Sequence, residues 1–137
     1  GKFSEAKVCA EEAILDPNSR REFYLLLANI YISLNDLHNA KKILDETYEK
    51  YTHLNIGSDN GYLNLQCLYY IRKKELSAAK KILNKINPKS EYLQLQYYRL
   101  VLENMDNPLA DRIEAEQKII ELDTYHVDNN LIFLVDI

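Results

Sequence analysis

Leu37-His38-Asn39-Ala40-Lys41-Lys42-Ile43-Leu44 returns as Leu76-Ser77-Ala78-Ala79-Lys80-Lys81-Ile82-Leu83, six residues of eight unchanged. Phe3-Ser4-Glu5-Ala6-Lys7-Val8 is a fainter copy upstream. Ala6 and Ala40 stand 34 residues apart, Ala40 and Ala79 39. A period of that size marks an array of helical hairpins, in which no unit buries its apolar face without neighbours. The expected fold is all-α, and such a chain presents a surface rather than enclosing a reaction.

Apolar residues recurring at three- and four-residue steps predict helices over 3–16, 20–34, 37–53, 60–73, 76–86, 90–104 and 108–122. An eighth is expected to begin near Asp128. Asp16-Pro17-Asn18 stops the first, since proline has no N–H to donate. Ser19-Arg20-Arg21-Glu22 reads as a capping box, and Asp36, Ser58 or Asp59, Ser90 and Asn107 as further caps. Leu54 to Gly61 is the one loose connection. Helix 60–73 is apolar almost all round, the pattern of a helix packed on several sides. The chain divides into a half-repeat at 2–18, repeats at 19–53 and 58–88, a degenerate repeat at 89–124 and a further helix at 128–137, all in one domain.

Three glycines and three prolines are too few for a disordered chain. The net charge of −4 gives no general reason to expect nucleic acid. It is uneven, however. Residues 72–89 hold seven basic side chains and one acid, whereas residues 90–137 hold ten acids and three bases. Cys9 and Cys67 make neither a disulfide framework nor a metal motif, and both are expected to be buried thiols. His38, His53 and His126 are isolated surface residues without a metal-ligand partner. No nucleotide-binding glycine motif or nucleophile elbow occurs, so no catalytic, cofactor-binding or metal-ligating residue is assigned. No run of about 18 apolar residues spans a membrane, and a cytoplasmic location is favoured. Gly1 reads as a cloning remnant and the apolar stretch 131–135 as an uncovered helix face, so the chain is expected to be excised from a longer array.

Tyr24, Leu27, Ala28 and Tyr31, followed by Ala40 and Leu44, resemble the signature of the tetratricopeptide repeat family. Leu63, Cys67 and Tyr70, then Ala79 and Leu83, repeat it with a departure at Gln66, and Ala115 is the counterpart in the fourth unit. The resemblance implies a right-handed helical-hairpin solenoid of about eight antiparallel helices, although another helical-pair solenoid remains the alternative. In that family the first helix of each hairpin lines a concave groove. The resemblance then assigns the groove to Leu25, Asn29, Ile32, Asn64, Leu68, Ile71, Leu93, Tyr97 and Leu100.

Family members that clamp a chaperone's C-terminal carboxylate use lysines and an arginine in the groove, and of their pattern only Asn29 is present. An apolar groove implies a protein or peptide ligand in a scaffold. The alternatives are a secretion chaperone holding apolar client segments and a nucleic-acid-associated protein, with nucleic acid the weaker expectation. Self-association through exposed terminal helices is a further expectation. Arg72, Lys73, Lys74, Lys80, Lys81, Lys85 and Lys89 form a second candidate patch for an acidic partner, for RNA or for the acidic end of another copy. The eleven tyrosines fall mostly on packing stripes and read as core.

Overall fold

The apolar periodicity resolves into seven α-helices among the described residues: α1 (Lys2–Ala13), α2 (Arg21–Ser33), α3 (Leu37–Tyr51), α4 (Asn60–Arg72), α5 (Leu76–Lys85), α6 (Glu91–Glu103) and α7 (Leu109–Val135). Two short 3-10 turns, Thr52–Leu54 and Ile56–Ser58, join α3 to α4, and no strand is present among these residues. The computed structural model describes the backbone of residues 2–135 and the side chains of residues 2 and 4–123. The expected break before Asp128 does not occur. Helix α7 runs through it, because residues 123–128 contain neither glycine nor proline to end a helix. His126 thus stands in a helix rather than a connection, while its side chain, that of Phe3 and those of 131–135 lie outside the described residues. The chain divides into two compact units, Gly1–Pro88 and Lys89–Ile137.

In the first unit α2 pairs with α3 and α4 with α5, and the two hairpin turns are bonded identically. Asn35 N–H donates to the Ile32 carbonyl at 2.9 Å, and Asp36 N–H to that of Tyr31 at 2.8 Å. Lys74 N–H donates to Ile71 at 3.0 Å, and Glu75 N–H to Tyr70 at 2.9 Å. Every donor and acceptor is displaced by the same 39 residues that separate the alanines. This bond pair closes a helix when the residue following it turns left-handed. Asn35 does so with φ 59°, and Lys74 with φ 65°. Ala40 and Ala79 then lie fully buried one turn into the second helix of each hairpin. A methyl group there lets the paired helices approach closely.

The core of this unit gathers Tyr24, Leu27, Ala28, Tyr31, Ile43, Leu44, Tyr51 and Tyr62 with Ala40. Lys50 ties the α1–α2 connection to α3. Its Nζ lies 4.9 Å from the Tyr24 ring centre, donates to Tyr24 Oη at 3.1 Å and reaches the Pro17 carbonyl at 3.4 Å. Tyr51 Oη donates to the Ser19 carbonyl at 2.7 Å. That tether accompanies a correction. Ser19 does not cap α2: the helix starts at Arg21, Arg20 holds the cap position without a side-chain bond, and Ser19 Oγ is buried with no partner among the described residues.

The connection at 52–58 is not loose either, since Ile56 is fully buried and anchors it to the core. Asp36 and Asp59 do cap as expected, accepting from Asn39 N–H at 3.4 Å and Tyr62 N–H at 3.1 Å. The Asn39 side chain also donates to Asp36, which holds that carboxyl below its ordinary pKa.

The second unit packs α6 on α7 with Leu93, Tyr97, Val101 and Ala115 buried. Ser90 Oγ accepts from Leu93 N–H at 3.4 Å and caps α6. Asn107 was expected to cap α7. Its Nδ2 instead donates to the Val101 carbonyl at 2.9 Å, holding the connection against α6. Of the two thiols only Cys67 is buried; Cys9 is exposed, because it lies on the solvent side of α1, one position from the buried Ala10.

Candidate functional site

Helix α2 is apolar over most of its circumference, from Phe23 to Ile32, and packs against both α3 and α4. The core takes Leu27, Ala28, Ile30, Tyr31 and Ile32. Leu25 and Leu26 remain on the side facing α4, where they form a cleft of about 380 Å³ with Glu22, Asn29, Gly61, Asn64 and Leu65. Leu26 is 46% exposed, a large apolar side chain left to solvent. A Cβ at Gly61 would make ordinary contact with Leu25 Cδ1 at 3.6 Å and press on Asp59 Oδ1, the oxygen that caps α4, at 3.0 Å. Two amides stand in this apolar lining, one from each helix. Asn29 is exposed, whereas Asn64 Oδ1 is buried without a hydrogen-bond partner.

Of the nine groove residues expected from the sequence, the cleft brings together Leu25, Asn29 and Asn64. Leu68 is half-buried against the core beyond it. Ile32 and Ile71 are corrections. They are 0% and 6% exposed, because their side chains pack inward at the hairpin turns instead of lining a groove. Leu93, Tyr97 and Leu100 belong to the second unit, where Leu93 and Tyr97 are buried and Leu100 is half-buried. Leu26, Leu65 and Gly61 were missed. The signal for the leucines was present: α2 and α4 carry more apolar residues than one buried stripe holds.

The basic segment is only partly a patch. Lys73 is 3.3 Å from Glu75 and lies over the Tyr69 ring, and the bond to Glu75 raises its pKa. Lys89 belongs to the second unit. Arg72, Lys74, Lys80, Lys81 and Lys85 are exposed in the first. His38 and His53 are exposed, and no three His, Cys, Asp or Glu converge among the described residues. No helix among them is long and apolar enough to cross a membrane.

Compared with protein-family models, curated proteins and solved structures, the chain matches none of them.

Proposed function

We propose that this chain is a non-enzymatic protein–protein interaction module of tetratricopeptide-repeat type. Its hairpins stack as a right-handed solenoid, and a peptide or helical segment of a partner docks in the cleft between α2 and α4. The observation that carries this reading is Asn64 Oδ1, a buried acceptor without a partner beside the leucines of a cleft that Glu22 and Asn29 border. Leaving such an acceptor unpaired costs roughly 1–3 kcal/mol. Once the Asn64 side chain turns outward, a ligand N–H laid along the cleft would satisfy it, while Leu25, Leu26 and Leu65 would take apolar side chains on either side. Apolar lining with a few placed polar groups is the usual composition of a binding site. The 39-residue repetition of both turns supports the repeat reading, in which α2 and α4 are the corresponding first helices of consecutive units.

The test is selection of a random peptide library on the intact chain, followed by the same selection on Leu26→Asp. Leu26 is half exposed, so the substitution should leave the melting temperature within a degree or two while abolishing capture of the selected peptides. Equal capture by both proteins would reject the cleft as the ligand site.

A further inference from the structure

Helices α3 and α5 are an internal comparison. Both carry Ala-Lys-Lys-Ile-Leu, at 40–44 and 79–83, and both bury the alanine, isoleucine and leucine while exposing the lysines. On α3 the exposed side also holds Asp45, Glu46 and Glu49, and Lys41 Nζ lies 3.0 Å from Asp45 Oδ2. The positions 39 residues later are Asn84, Lys85 and Pro88. Each acid is gone. Lys80 has an amide where Lys41 has a carboxylate, and Lys81 and Lys85 stand one turn apart with like charge. Arg72 and Lys74 extend the patch over the adjoining turn. Because α3 packs through the same residues with its lysines balanced, the uncompensated charge on α5 does nothing for the hairpin itself.

The same chain carries the complement. Helix α7 exposes Asp111, Glu114, Glu116, Glu121 and Asp123, of which only Glu121 has a basic partner among the described residues, Lys118 at 3.8 Å. Leu109, Ile113 and Ile120 are 63%, 47% and 55% exposed and form a row along the helix at steps of four and seven. Helical geometry puts Glu116 and Asp123 on one side of that row and Glu114 and Glu121 on the other.

We infer that the exposed face of α5 docks the acidic face of α7 from a second copy of this chain. Lysine suits this match in both halves of its side chain. The methylene stems of Lys80, Lys81 and Lys85 cover the row of Leu109, Ile113 and Ile120, and their ammonium groups reach the carboxylates on either side. The two faces differ, so the contact is heterologous and adds copies head to tail as concentration rises. The same lysines do not favour nucleic acid. Tyr69, the ring nearest Lys73, is buried and offers no stacking face, and the chain as a whole is negative.

Sedimentation velocity on the full chain at ~20 mM and ~500 mM salt tests this, since salt screens contacts between exposed charges. The wild type should associate at low salt and dissociate at high salt. Lys80→Glu/Lys81→Glu/Lys85→Glu and Glu114→Lys/Glu116→Lys/Glu121→Lys should each weaken association by at least about tenfold, and their equimolar mixture should restore it. Reversing Lys41 and Lys42 on α3 should change nothing. Circular dichroism accompanies each variant, and Lys→Gln at 80, 81 and 85 repeats the test should the reversed set unfold. A wild type that stays monomeric at low salt overturns the proposal, as does association that survives reversal of α5. A monomer that binds single-stranded RNA through α5 overturns it too, and gives this face to nucleic acid.

Discussion

Arg21 Nη1 lies 3.1 Å from Asp59 Oδ2, while the other oxygen of the same carboxylate accepts from Tyr62 N–H and caps α4. One acidic side chain therefore starts α4 and ties it to the first turn of α2, beside the Glu22 and Gly61 end of the cleft. The two side chains are 38% and 21% exposed, so solvent screens their attraction. Asp59→Ala should cost about 1–2 kcal/mol, chiefly through the lost cap. Arg21→Ala should cost less than about 1 kcal/mol. Urea titrations of both variants and of the double substitution measure this; equal losses would mean that the ion pair, not the cap, dominates.

Lys74 holds a left-handed conformation that asparagine takes readily at the equivalent Asn35 and that a lysine side chain resists. Lys74→Gly should therefore stabilise the first unit by about 0.5–1 kcal/mol, with Asn35→Gly changing little. A loss of stability in Lys74→Gly would show that the lysine side chain itself supports the turn.

Ala40 and Ala79 are fully buried at corresponding places. Ala40→Leu and Ala79→Leu should each destabilise by about 1–3 kcal/mol, because a packed helix interface has no room for three more carbons. Thermal melts unchanged at either site would break the repeat register.

Burial pushes the Cys67 thiol up to about 11, and Cys9 is exposed. A thiol reagent at pH ~8 should label Cys9 quickly and Cys67 only on unfolding. The sign for stability follows. Protonated Cys67 favours the folded chain in full below the ordinary thiol pKa, and this contribution is lost as pH rises towards about 11. Replacing Cys67 with serine should flatten the alkaline side of the stability profile, and an unaltered profile would contradict the assignment.

How much of this was legible depended on whether the cause was local. The caps at Asp36 and Ser90 and the buried alanines at 40 and 79 follow from local pattern, and of the two candidates Ser58 and Asp59 the structure uses Asp59. Ser19 has an equally good local motif, yet its carbonyl is held by Tyr51, 32 residues away, and its hydroxyl is turned inwards. Ile56 sits among turn-forming residues, and only the fold reveals it as an anchor. The cleft fails the same way. Helices α2 and α4 are apolar on more than one side, so periodicity could not say that Leu26 faces solvent while Ile32 faces the core.

The central claim is that a partner segment lies between α2 and α4. Backbone amide NMR spectra of the full chain, recorded with and without a peptide selected on it, test that most directly. The account predicts shifts concentrated at 22–29 and 61–65, together with a changed Asn64 side-chain amide as its oxygen gains a donor. Shifts confined to α5 or to the second unit, with Asn64 untouched, would contradict it.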